Sequence, residues 1–130
     1  MSDLDAADLT KRLRAEQLHI AIDLAGHTAG NRLPVFARRV APLQLSWLGY
    51  FATTGVPAVD AVLMDRWLVP PEHEDHFTEE VLRLPHNRWC YNPVGFAPPV
   101  SPPPCLARGA ITFGSFNNTL KYNDAVFAAW

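Results

Sequence analysis

Cysteine is nearly absent: Cys90 and Cys105 are the two in the chain, too few for a disulfide framework and without the Cys-x-x-Cys or His-rich spacing of a zinc site. They read as reduced thiols of a cytoplasmic protein. Charge of one sign is lacking too. The formal net charge is −2 and no run of like charges occurs, so there is no basic field for nucleic acid or an acidic membrane surface. No apolar run approaches the ~18 residues that span a bilayer. The acidic, polar opening from Met1 to Asp8 is unlike a secretory signal with its basic start and apolar middle. Neither nucleic acid nor a membrane is expected as a partner. Gly-x-Gly-x-x-Gly and the Walker lysine loop are also missing, which argues against the commonest dinucleotide and P-loop sites.

What remains is globular in character. The chain has 130 residues, 48% of them hydrophobic and 18% charged, enough for one modest core. Leu4, Leu9 and Leu13 among Lys and Arg predict an amphipathic helix over 3–17, with Ser2, Asp3 or Asp5 able to cap it. Short apolar runs predict strands over 18–24, 43–48, 60–64 and 81–84. A short helix over 33–39 has Pro34 in its first turn, and a turn over 70–75 leads into a helical segment. Strands alternating with helices and polar loops imply an α/β fold with a parallel sheet.

Six of the twelve prolines lie between Pro93 and Pro104, a composition that excludes helix interiors and central strands and marks a stiff linker. Beyond it, 110–116 reads as a strand and 123–130 as the start of a helix. Its Val126-Phe127-Ala128-Ala129-Trp130 ending leaves apolar surface with nothing following to cover it, so a piece of a longer protein is expected.

Two segments suggest ligand chemistry. Phe113-Gly114-Ser115-Phe116-Asn117-Asn118-Thr119-Leu120-Lys121 reads as a strand breaking into a polar turn ahead of a helix. Backbone amides and a cation at such a turn suit phosphate. Lys121 is the candidate cation, supported by the Asn117 and Asn118 amides; the plain alternative is a solvated turn lysine. Asp23-Leu24-Ala25-Gly26-His27-Thr28-Ala29-Gly30 follows a strand, where open α/β sheets gather their ligands. Its glycines admit close backbone approach, and His27 and Thr28 offer hydrogen bonds. A helix-capping turn with a solvated histidine is the alternative there. Glu72-His73-Glu74-Asp75-His76 has metal-like spacing but reads as a solvated helix start, so no metal is expected. Asp60 and Asp65 read as surface charges paired with Arg66 or other nearby basic residues.

Taken in order, the Asp23 to Gly30 loop, Arg39-Val40-Ala41-Pro42-Leu43-Gln44, Trp47-Leu48-Gly49-Tyr50 with Thr54-Gly55, and the Asn117 to Lys121 segment resemble the catalytic region of the O-linked N-acetylglucosamine transferase family, which includes the SPINDLY-like glycosyltransferases. The resemblance runs from about residue 18 to 130. It implies a GT-B fold of two Rossmann-like lobes, with 1–92 the later part of the N-lobe, 93–109 the linker and 110–130 the start of the nucleotide-binding C-lobe. It also implies an inverting transfer of N-acetylglucosamine from its uridine diphosphate donor to Ser or Thr of an acceptor protein or peptide. No cofactor or metal beyond the nucleotide sugar is needed. Lys121 becomes the diphosphate contact and catalytic group, His27 and Thr28 sugar-side contacts, and Thr54, His86, Asn117 and Asn118 further binding residues. The chain departs from the family pattern at Leu120, where many relatives have tyrosine, and at Phe51-Ala52, where the family has Pro-Gly. These departures would suit a second reading, a noncatalytic α/β interaction module on the same scaffold. A phosphate-binding α/β enzyme of another kind is the third. On the leading reading the chain also needs the remainder of its own catalytic domain as a partner.

Overall fold

Four short apolar runs become four strands, β1 (Ile20–Asp23), β2 (Leu43–Trp47), β3 (Ala61–Met64) and β4 (Glu80–Arg83), in a computed structural model that describes residues 4–130. They form one sheet in the order β1-β2-β3-β4, and every neighbouring pair is parallel. The register sets Ala21 beside Gln44, Ser46 beside Val62 and Val62 beside Val81, so these side chains share one face. On that face Ala21, Gln44, Ser46, Val62 and Met64 are buried, whereas Ile20, Ile22, Leu43 and Leu82 on the other are exposed. This is the α/β class expected from the alternation of elements.

Helix α1 (Ala6–Ala15) covers the buried face. The Asp5 side chain accepts hydrogen bonds from the amides of Ala7 and Asp8, both at 2.8 Å, and satisfies two donors the first turn leaves unpaired. Of the three expected caps, Ser2 and Asp3 lie outside the described residues. Leu9 is buried against Ala21, Val35, Phe36, Val40, Ala41 and Val59, with Leu4 and Leu13 packed around them. Helix α2 (Leu33–Phe36) is shorter than the span expected over 33–39. Past Ala37 the chain runs on in turns, with Arg38 N and Arg39 N donating to the carbonyls of Val35 and Phe36, and Arg39, at a left-handed φ of 53°, donates its guanidinium to both oxygens of Asp60 at 2.7 and 3.0 Å.

Gln44 ties this region together from the middle of the fold. Its side chain is fully buried (0% exposed). Its amide oxygen accepts from Val40 N at 2.9 Å, while its amide nitrogen donates to the carbonyls of Phe36 at 2.9 Å and Ala58 at 2.6 Å. A polar side chain in such a place is tolerated because its hydrogen bonds are made. A six-residue 3₁₀ helix (Pro71–His76) precedes β4, and a smaller cluster of Val62, Met64 and Val69, flanked by Phe77 and Val81, closes the core.

The chain separates into two compact units, Met1–Tyr91 and Asn92–Trp130. The second contains α3 (Cys105–Arg108), a 3₁₀ turn (Thr119–Lys121) and α4 (Asp124–Ala129). Asn123 caps α4 by accepting from Val126 N at 3.0 Å. Tyr122, Phe127 and Trp130 meet edge to face with ring centroids 5.5–6.0 Å apart. The strand expected over 110–116 does not form; that stretch is irregular. Ile111, Phe113 and Phe116 are exposed, with no neighbouring strand in the described residues to receive them, and strand propensity is expressed only against such a neighbour. Helix α3 has no counterpart in the expected elements. No helix among the described residues is long and apolar enough to cross a membrane.

Candidate functional site

The loops beyond the carboxyl ends of the strands interlock. After β1, the Asp23 carboxylate accepts from Ala25 N at 3.2 Å and Gly26 N at 2.7 Å, folding the chain back on itself. Gly26 has a φ of +51°, and a Cβ there would sit 2.3 Å from the Tyr50 side chain. After β2, a Cβ on Gly49 would lie 1.8 Å from the Leu24 carbonyl oxygen. Both glycines therefore allow a backbone approach that any side chain would block. His27 lies in the contact so made, with its ring edge to face with Tyr50 at 5.4 Å and Nε2 2.8 Å from the Thr54 carbonyl oxygen. Thr28 donates its hydroxyl to the Ala25 carbonyl at 2.8 Å and accepts at its own carbonyl from the Asn31 side chain at 3.0 Å.

Asp65, at the end of β3, is 4% exposed. This corrects the expectation of a surface charge paired with Arg66. Its carboxylate instead accepts three backbone amides, Trp67 and Leu68 at 2.9 Å and Arg88 at 2.8 Å. The Arg88 and Leu68 amides hold its carboxyl below the usual carboxylate range. Asp60 does carry a surface ion pair, with Arg39 as the partner, and that guanidinium together with the Gln44 amide holds its carboxyl low as well. Arg88 links the remaining loops: its guanidinium donates to the Tyr50 carbonyl at 3.1 Å, and its own carbonyl accepts from Trp47 Nε1 at 3.0 Å. Beside it is an open cavity of about 610 Å³ lined by Leu48, Asn87, Trp89, Cys90 and Tyr91. Leu48 has a φ of +64°, a strained conformation for a bulky side chain of the kind found at ligand sites.

Thr54 is 2% exposed, and its hydroxyl faces Glu79. It enters the site through the carbonyl that meets His27. Glu79, itself 5% exposed, accepts from the Thr54 amide at 2.7 Å, from the Thr54 hydroxyl, and from the Thr53 hydroxyl at 2.7 Å. Burial pushes the Glu79 carboxyl up, but the Thr54 and Thr53 donors outweigh it and hold the group below its usual value. Sequence reasoning missed the roles of Glu79, Asp65 and Arg88, each of which has a partner more than 20 residues away: Thr54 for Glu79, Arg88 for Asp65, and Tyr50 and Trp47 for Arg88. His86 is exposed in the turn after β4.

In the second unit, Asn117, Asn118 and Lys121 are exposed together. The amides of Leu120, Lys121 and Tyr122 already bond to the Asn118 side chain, the Asn118 carbonyl and the Thr119 carbonyl, each at 3.0 Å. Three of the backbone donors expected to help at this turn are therefore engaged within it, and the Lys121 side chain is exposed beside them. His73 and His76 stack at 5.3 Å on an exposed turn. Among the described residues no group of three or more His, Cys, Asp or Glu is placed to hold a metal.

The first unit is thus an open parallel α/β sheet of the Rossmann-like class, with interlocked loops at the end where such sheets receive ligands. The chain belongs to glycosyl transferase family 41, whose profile matches residues 2–92. The probable UDP-N-acetylglucosamine–peptide N-acetylglucosaminyltransferase SPINDLY of Petunia hybrida is 42% identical over 127 residues, 98% of this chain and 14% of that protein. Its counterpart in Arabidopsis thaliana is 41% identical over the same length. A lysine mutant of the Thermobaculum terrenum O-GlcNAc transferase shares the fold with a TM-score of 0.71 at 36% identity, over 76% of this chain and 19% of that one. The architecture is accordingly GT-B type, in part. The chain spans 14% of the length of the SPINDLY relatives it matches.

Proposed function

We propose that this chain is part of an inverting, metal-independent glycosyltransferase that moves N-acetylglucosamine from its uridine diphosphate donor to Ser or Thr hydroxyls of an acceptor protein or peptide. One observation carries the reading: similarity to the SPINDLY relatives spans 98% of the chain, so it takes in the Asn117 to Lys121 turn beyond the family match at residues 2–92. As the sugar bond breaks, negative charge grows on the departing diphosphate, and groups aimed at that charge supply much of the catalysis. Lys121 serves there, an exposed ammonium whose neighbouring amides are already bonded within the turn. Asn117 and Asn118 flank it as donor contacts, with 110–130 as the opening of the nucleotide-binding lobe and 93–109 as the linker. His27, Thr28 and His86 contact sugar or acceptor, and Thr54 acts through its carbonyl. The nucleotide sugar is the one small-molecule partner, no separate cofactor takes part, and the remainder of the catalytic domain completes the site. The setting is cytoplasmic.

A uridine diphosphate titration of the complete polypeptide, with and without Lys121→Ala, tests this. Binding weakened at least tenfold, equivalent to about 1.4 kcal/mol, is the expected result. Unchanged binding overturns the role of Lys121. If neither uridine nor guanosine diphosphate binds, the noncatalytic interaction module replaces the transferase.

A further inference from the structure

Glu79 is a buried carboxylate with no salt bridge among the described residues. A charge in that setting is stable only where hydrogen bonds replace its lost water. Here all three donors come from two adjacent residues, Thr53 and Thr54. Holding both hydroxyls and the intervening amide fixes the turn in one orientation, and with it the direction of the Thr54 carbonyl. That carbonyl is the partner of His27 Nε2 at 2.8 Å. A carbonyl oxygen can only accept, so the nitrogen facing it bears the hydrogen. A neutral imidazole has one N–H, which leaves Nδ1 as the lone pair. Tyr50, packed edge to face with the ring, holds it from a second side. Nδ1 has no hydrogen-bond partner among the described residues, and His27 is exposed.

We propose that Glu79 is a positioning residue for His27: by clamping the Thr53–Thr54 turn it holds the imidazole as the Nε2–H tautomer and presents Nδ1 as an acceptor for a ligand hydroxyl. The hydroxyl clause rests on the glycosyl-transfer reading, while the tautomer does not, and the measurements separate them. A sugar hydroxyl or the Ser or Thr side chain of an acceptor supplies the donor.

The test is nuclear magnetic resonance of the full chain with labelled histidine, at a pH where the rings are neutral. His19, His73, His76 and His86, the other four of the five histidines, serve as internal controls of folding. The expected result is a His27 Nε2–H proton that exchanges with water at least tenfold more slowly than that of exposed His86. In Glu79→Ala that protection falls to the His86 level while the four controls keep their shifts. In Glu79→Gln it survives, because the amide oxygen still accepts from the Thr54 amide and hydroxyl, while Thr53 Oγ1, which already accepts from Gly55 N and Thr78 N, loses only its own donation. A His27 found as the Nδ1–H tautomer overturns the proposal, as does protection that persists in Glu79→Ala. Where Glu79→Ala fails to fold, the isosteric pair Thr53→Val with Thr54→Val decides, since it removes both hydroxyl donors and keeps the carbonyl; unchanged protection again overturns the proposal. In the complete polypeptide, a His27 Nδ1 resonance unmoved both by uridine diphosphate N-acetylglucosamine and by a Ser/Thr-containing acceptor peptide added with uridine diphosphate overturns the hydroxyl clause and leaves the positioning result standing; movement with either one supports it.

Discussion

Replacing Gln44 with methionine keeps the shape of the side chain and removes three hydrogen bonds from a position with no exposed surface. The groups left without a partner are Val40 N, which is enclosed, and the Ala58 carbonyl, which is partly open; the Phe36 carbonyl keeps the Arg39 amide at 2.9 Å. An enclosed polar group without a partner costs about 2 kcal/mol and a half-open one about 1, giving about 3 kcal/mol in all. The added apolar burial of methionine offsets roughly 1–2 kcal/mol, so the expected net loss is about 1–2 kcal/mol. That is a sizeable part of the ~5–15 kcal/mol stability of an ordinary domain. Urea unfolding followed by tryptophan fluorescence and circular dichroism reads it directly. With a slope of about 2 kcal/mol per molar urea, the midpoint should fall by about 0.5–1 M. An unchanged midpoint would refute the reasoning, because it would mean that the backbone around α2 satisfies itself without Gln44.

Gly49→Ala should cost about 1–3 kcal/mol, since its Cβ would meet backbone, the Leu24 carbonyl, at 1.8 Å. Gly55→Ala, with a φ of +65° but nothing within 4 Å of the added carbon, should cost only about 1 kcal/mol; equal losses in the same urea assay would count against the loop contact. Asp65 has a folded pKa below its unfolded one, so its stabilisation is complete above the unfolded value and is lost as pH falls through the lower folded value. Urea midpoints measured from neutral into the acid range should therefore drop less steeply with acid in Asp65→Asn than in the native chain, starting from a lower neutral value. Parallel profiles would show that the three amides do not depend on that charge.

The strands were legible because each is a short apolar run bounded by a turn residue, and a parallel sheet buries such runs. The same rule failed at 110–116, where the sequence pattern is present but no strand among the described residues pairs with it. Helix α2 is shorter than expected, and the turn that follows it carries Arg39, tied to Asp60 across 21 residues, a pairing local propensity does not contain. In the candidate site, the residues that could touch a ligand stand in short, recognisable segments. The residues that hold those segments do not: Asp65 reads as one more surface acid until Arg88 folds back onto it. A signal was available, in that Gln44 sits between Leu43 and Leu45 and Glu79 directly precedes a strand. A polar residue at such a place requires a partner that only the fold can name.

Arg88 gives the site a mechanical property. Its amide is bound to Asp65 at the end of β3, its guanidinium to the carbonyl of Tyr50 in the loop after β2, and Tyr50 in turn leans on His27 in the loop after β1. These contacts form a continuous chain from the segment after β4 to the histidine three strands away. The four loops are joined as a linkage, so a ligand that displaces one of them has the contacts to the next to break or to carry along.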